Sequence, residues 1–351
     1  MKTTMKRFSR FIAFFLLAIL LIGTTLKAQD FTKVYQKKFD VDQGALLVIK
    51  NKFGEVKCLN WNENAVSINV TITAETSNQD KANRIFDKIG VELSGDRTRV
   101  QGITTVGSIS NAQFSIDYEI RMPAWMKLDL ANQFGDIYLP ETGGDAKIKL
   151  EYGAMEAEAF KGQATDLQIK FSDVSAGSIK NGILDIEYSD WESEDAETLK
   201  IRSRFSEIDI EGVYNLNLDS QYDEINVEEA AEVVVISRFS DLDFGKISGN
   251  FDFDIEYGDL DIDMVASSFK NGKVRNTFAG ASMTFATGAS IMVDAELQFG
   301  DLSYPKATSM NHQTVGYTTN IYKGKLGASS ATPSQLRIIS KNSDVTIDFE
   351  D

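Results

Sequence analysis

Between residues 131 and 304, apolar and polar side chains alternate in short runs, and the phase of the alternation changes at regular intervals. Leu199, Ile201, Ser203 and Phe205 fall on one phase, Ile208 and Ile210 on the next. A period of two marks a strand half-buried against a core, and a change of parity marks a corner between strands. Each corner carries the same motif: aromatic, small residue, acid, aliphatic. It reads Phe134-Gly135-Asp136-Ile137, Phe171-Ser172-Asp173-Val174, Tyr188-Ser189-Asp190-Trp191, Phe205-Ser206-Glu207-Ile208, Tyr222-Asp223-Glu224-Ile225, Phe239-Ser240-Asp241-Leu242, Tyr257-Gly258-Asp259-Leu260 and Phe299-Gly300-Asp301-Leu302. Tyr152-Gly153-Ala154-Met155 and Phe278-Ala279-Gly280-Ala281 lack the acid, and Phe53-Gly54-Glu55-Val56 is an outlying early copy. From Phe134 to Phe299 the aromatics are spaced by 18, 19, 17, 17, 17, 17, 18, 21 and 21 residues. Units repeating at that period bury their apolar faces by stacking. The expected fold is all-β, a single-chain parallel β-solenoid or β-helix with coils of about 17 to 21 residues.

Charge decides whether one unit is a whole coil or half of one. The residues preceding the aromatics run Glu151, Lys170, Glu187, Arg204, Gln221, Arg238, Glu256. If each unit is a full turn, opposite charges alternate along one ladder. If two units make a turn, acids and bases separate into self-repelling columns at a spacing of about 4.8 Å. The single-unit coil is therefore expected, with the aromatics in one continuous stack and the rings buried in it. The small residue after each aromatic is expected to take the strained corner backbone, and the acid to accept backbone N–H groups. Pro123, Pro140, Pro305 and Pro333 all lie at or outside the ends of residues 141–304, as an unbroken ladder requires.

Residues 29–130 read as a β-rich leading cap holding the first repeat-like coil. A strand is expected over residues 65–73, then a short helix capped by Ser77 or Asn78, with Ala82, Ile85, Phe86 and Ile89 at helical spacing and Gly90 ending it. Residues 131–304 form the repeats. Residues 305–351 read as a C-terminal cap and closing coil: 305–333 leave the period, and Ile338, Ser340, Asn342, Val345 and Ile347 restore it with Asn in the aromatic slot.

The first residues set the compartment. Lys2, Lys6, Arg7 and Arg10 precede an apolar run over residues 11–22, too short to span a bilayer comfortably. Residues 1–28 therefore read as a signal peptide cleaved after Ala28. The mature chain would be exported to the periplasm or surface of a Gram-negative cell and would not span the membrane. Cleavage removes those four basic residues and Lys27, so the formal charge of −16 becomes −21 on the mature chain. That surface is a poor partner for nucleic acid. It leaves cations, basic proteins and neutral sugars open, and it also keeps a sheet-rich chain soluble. The single cysteine, Cys58, reads as a buried small hydrophobe.

The second strand of each unit turns Glu156, Glu192, Asp209, Asn226, Asp243 and Asp261 outward, with no basic residue among them. Stacked carboxylates repel unless solvent, salt or a cation screens them. Glu156, Glu192, Asp209, Asp243 and Asp261 are the candidate acidic interaction face. A diffuse electrostatic surface ranks above a specific calcium site, because a flat column rarely offers the six to eight oxygens of Ca2+. The catalytic inventory is thin: His312 is the only histidine and no nucleotide loop or metal cluster accompanies it. No cofactor beyond weak Ca2+ is expected. A carbohydrate-active enzyme on a β-helix is the alternative function, and a purely structural envelope protein is another.

Asn51-Lys52-Phe53-Gly54-Glu55-Val56, the segment Tyr118-Glu119-Ile120-Arg121-Met122-Pro123, and the recurrent Phe-Gly-Asp and Phe-Ser-Asp units resemble the putative-adhesin domains of unknown function common in Bacteroidetes. The similarity covers most of residues 40–350. It implies a right-handed β-helix-like fold in the periplasm or on the cell surface, with no catalytic residues to carry over; the expected partner is an unidentified protein or glycan at the cell surface.

Overall fold

The computed structural model describes residues 29–305, 309–327 and 332–350, so the expected signal peptide lies outside the described residues. The described chain is all-β apart from one helix, Gln79–Phe86, and its strands join in one large, mostly parallel sheet. Across the middle repeats, each strand pairs in parallel with the strand one repeat later. Asp190–Arg204 pairs with Glu207–Gln221 from Asp190↔Glu207 to Arg204↔Gln221, a constant offset equal to the spacing from Tyr188 to Phe205. Glu207–Gln221 pairs with Glu224–Arg238 at the same offset.

That constant offset sets each inward side chain on its equivalent in the next repeat. One interior column runs Ile148, Leu167, Leu184, Ile201, Leu218, Val235, Phe253 and Val274, and a second runs Met155, Val174, Trp191, Ile208, Ile225, Leu242 and Leu260. All are buried, and together they form one continuous core. Burying that apolar surface is the dominant favourable contribution to folding.

The early copy at Phe53 is adjacent to the others in space. Leu46–Lys52 pairs in parallel with Lys127–Gln133, and Val56–Asn60 pairs with Ile137–Leu139. The other strands of the leading region pair antiparallel: Gln29–Asp40, ahead of the early copy, on Ala65–Thr76, and Ile89–Gly95 on Arg99–Val106. Asn78, not Ser77, caps the helix, its Oδ1 accepting the Lys81 N–H at 3.0 Å. Gly90 does not end the helix. The helix stops at Phe86, and Gly90 lies inside the following strand, because Ile89 is needed there as a buried strand residue.

The C-terminal end also corrects the sequence reading. Residues 309–327, which leave the period, are ordered strand: Ser309–Val315 and Thr319–Gly327 form an antiparallel hairpin that docks on Ser290–Gln298. The coil expected to close the stack lies inside it. Ser334–Lys341 pairs in parallel with Asn271–Phe285 on one side and with Ser290–Gln298 on the other, so the last repeat-like segment is inserted between two earlier ones.

Candidate interaction surface

The corner motif builds a ridge. Eleven aromatics, Phe53, Phe134, Tyr152, Phe171, Tyr188, Phe205, Tyr222, Phe239, Tyr257, Phe278 and Phe299, have φ between 51° and 64°. The left-handed backbone therefore belongs to the aromatic at every copy, whereas the small residue after it, expected to take it, has positive φ only at Gly54 (152°) and Gly258 (113°) among the described corners. That conformation is strained for a bulky side chain. The residue after the aromatic is small because of close approach: a Cβ on Gly153 would lie 2.2 Å from the Gly135 carbonyl oxygen. Where serine fills this slot it is buried and bonds to its equivalent, the Ser172 N–H donating to Ser189 Oγ (3.1 Å) and the Ser189 N–H to Ser206 Oγ (3.2 Å). Asn342 takes the same left-handed conformation in the aromatic slot, one that Asn tolerates.

Ten of the rings, Phe53 through Phe278, stack with centroids 4.7–5.2 Å apart and planes within 11° of parallel. Phe114 closes the end edge-on against Phe53. From Phe134 to Phe278 the aromatic residues stay 38–50% exposed, so they are not buried in the stack. Each ring face is covered by its neighbours and only edges reach solvent. Stacking on a sugar needs a free ring face, which such a ridge does not offer along its length.

On one side of the ridge acids and bases are interspersed and many of them pair. Glu187 and Arg204 are register partners, and Lys170 lies 2.7 Å and Arg204 4.0 Å from the Glu187 carboxylate. Arg238 meets Glu256 at 3.5 Å, Arg202 meets Asp219 at 3.9 Å, and Arg275 reaches both Asp252 and Asp254. The Lys149 ammonium holds the Glu151 carboxyl below the usual range, and hydrogen bonding to Glu187 raises Lys170.

On the other side lie three adjacent columns of acids. The expected column is present, running Glu156, Ser175, Glu192, Asp209, Asn226, Asp243, Asp261, with Ser175 as a member that the sequence series omits. One step towards the ridge stand Asp173, Asp190, Glu207, Glu224, Asp241 and Asp259, and one step away stand Glu158, Glu194, Glu211, Glu228 and Asp263. Sequence reasoning missed the flanking columns although the signal was there: each flanking acid is two residues from a member of the expected column, which in a strand means the same face. Among the described residues none of the sixteen carboxylates is in an ion pair.

The face relieves itself only in part. Asn226 donates to Asp209 at 2.9 Å, Asp241 Oδ1 accepts the Asp259 N–H (3.1 Å), and Asp259 Oδ1 accepts the Gly280 N–H (3.0 Å). Repulsion from Asp209 and Glu224 pushes the Glu207 carboxyl up. Asp261 is raised by partial burial, then by Asp243 and its other acidic neighbours. A shallow depression of about 340 Å3 crosses the face beside Glu156, Asp173, Glu192 and Asp209. Asp223, at a corner, is buried and likewise raised by burial, although Ser220 Oγ and the Ser206 and Gln221 N–H groups donate to it.

Over residues 131–304 the chain carries 35 Asp and Glu against 13 Lys and Arg, whereas residues 29–130 carry 13 of each, so the negative charge belongs to the repeats. Among the described residues no group of three or more His, Cys, Asp and Glu is arranged to hold a metal. His312 lies in the C-terminal hairpin, stacked on Tyr322 with centroids 4.4 Å apart and Nε2 3.2 Å from Asn320 Oδ1. Cys58 is buried, and desolvation pushes its thiol up to about 12, far from a reactive thiolate at neutral pH. Among the described residues no helix is long and apolar enough to cross a membrane.

These features define an all-β protein with long contrasting faces. No family model matches the chain, and no curated protein does. It is similar to solved structures described as a putative cell adhesion protein from Clostridium sporogenes (11% identity, 91% of this chain and 100% of that one, TM-score 0.22), a putative adhesin from Bacteroides fragilis (8%, 91% and 97%, 0.28), and a putative lipid binding protein from Parabacteroides distasonis (9%, 90% and 96%, 0.27).

Proposed function

We propose that this chain is an exported, non-catalytic binding or scaffolding module of the cell envelope, adhesin-like in its mode of action. Its repeats wind as a β-solenoid with coils of about 17 to 21 residues, and its acidic face takes a basic partner through diffuse electrostatics. The solenoid is supported by the constant parallel offset of the middle repeats. The observation that carries the function is the contrast between sixteen unpaired carboxylates in three columns and the paired charges across the aromatic ridge. A carboxylate column at strand spacing gains from any cation brought to it, and a polycation gains at several rungs at once.

The test is calorimetric titration of a lysine-rich peptide into the mature chain across a salt series. Binding should weaken steeply with salt. It should fall by about tenfold or more in the combined Glu192→Gln, Asp209→Asn, Asp243→Asn and Asp261→Asn variant. No binding at low salt, or binding indifferent to the four substitutions, would overturn the proposal.

A further inference from the structure

A second feature lies in the leading cap, remote in sequence from the acidic face and opposite in charge. Helix Gln79–Phe86 buries Ala82, Ile85 and Phe86. Lys81, Arg84 and Lys88, spaced three and four residues apart, then share a neighbouring side. Together with the segment of residues 109–113 they line a cavity of about 670 Å3, within the range of small-molecule pockets.

These cations lack the partners that their counterparts in the repeats have. Lys81 Nζ donates to Ser77 Oγ at 2.9 Å and Lys88 Nζ to the Ser108 carbonyl at 2.7 Å, while the Arg84 guanidinium makes no hydrogen bond or ion pair among the described residues. On the paired face, by contrast, Arg202, Arg204, Arg238 and Arg275 each meet a carboxylate. The backbone N–H groups of residues 108–112 make no hydrogen bond among the described residues either, and Asn111 holds them in a left-handed turn with φ of 52°. Glu75 and Asp87 also line the cavity, so three cations face two carboxylates. Ile85 and the half-buried Ile109 supply an apolar wall.

We propose that this cavity binds an anionic saccharide. Arg84 takes a carboxylate or sulfate in its planar fork with Lys81 and Lys88 beside it. Asn111, Gln113 and the two carboxylates take hydroxyl groups, and the isoleucines take the apolar face of the sugar ring. Basic side chains at a helix C-terminus also complement the helix dipole, but that role needs neither the cavity nor the guanidinium fork. The site is independent of the acidic face, so either can fail alone.

The experiment titrates the mature chain with digalacturonate, with its neutral counterpart digalactose, and with inorganic sulfate. Saturable binding of the uronate is expected, with none of the neutral sugar and weaker binding of sulfate. Arg84→Gln should weaken the uronate about tenfold or more with an unchanged thermal melt, and Arg84→Lys should fall between. Asp209→Asn with Asp243→Asn should leave this binding unaltered. The proposal is overturned if the uronate does not saturate, if sulfate binds as tightly, or if Arg84→Gln and Lys88→Gln both bind as the parent does.

Discussion

The two faces beside the aromatic ridge share repeats, strand spacing and parallel register, yet they handle charge in opposite ways. On one, Lys170 and Arg204 flank Glu187, and Arg275 bridges Asp252 and Asp254. On the other, Asp190, Glu207 and Glu224 follow one another with no cation between. The paired face shows that this register accommodates alternating charge, so the repeat architecture does not by itself call for carboxylates stacked on carboxylates. The acidic face keeps repulsion that substitution could remove, which directs attention to what binds there.

The largest effect should come from the interior that both faces share. Ile201→Ala should cost about 2–5 kcal/mol in denaturant unfolding, because Ile201 is buried between Leu184 and Leu218. Phe205→Ala should cost less, about 1–2 kcal/mol: the residue is 45% exposed and its loss removes two stacking contacts without opening a core cavity. Equal costs would mean that the ridge, not the interior, organises the repeats.

Next comes pH. Glu207, Asp223 and Asp261 have carboxyl groups raised above their ordinary values. Each is protonated more readily folded than unfolded, so each destabilises the fold above its folded pKa and ceases to do so below its unfolded one. Glu151, lowered by Lys149, behaves oppositely and loses its contribution as pH falls. Melting temperature should therefore rise as pH drops from neutrality towards the folded pKa values of the raised carboxyls. Glu207→Gln combined with Asp261→Asn should flatten that rise, and a monotonic fall in the parent would contradict the description of the acidic face.

The smallest effect belongs to the paired face. Arg204→Glu should destabilise by only about 0.2–1 kcal/mol, since exposed cross-strand pairs are weak. The effect should shrink in high salt, and a salt-independent loss would show that Arg204 acts through packing.

Much of this is legible in the sequence because it follows from periodicity. The constant spacing of Tyr188, Phe205, Tyr222 and Phe239 fixes which residues can be neighbours, and the alternation of Glu187 and Arg204 places them together. What periodicity does not carry is backbone conformation and chain order in space. The left-handed φ at the aromatics is hidden, because bulky residues seldom adopt it and the adjacent Gly and Ser are by type the better candidates. Insertion of Ser334–Lys341 between two earlier strands is hidden as well, since a repeat signal says that a segment belongs to the stack but not where it enters. Following a single position from unit to unit reveals only one acidic column, although period-two alternation puts Asp190 and Glu194 on the same face as Glu192.

The central claim is that the acidic face holds uncompensated repulsion available to any cation. Thermal melts of residues 29–351 in sodium chloride and calcium chloride at matched ionic strength test it most directly. The account predicts that both salts raise the melting temperature to a similar extent, and that Glu192→Gln with Asp209→Asn and Asp243→Asn raises it in low salt and blunts the response. A melt indifferent to both salts, or one raised by calcium alone and saturably, would contradict it.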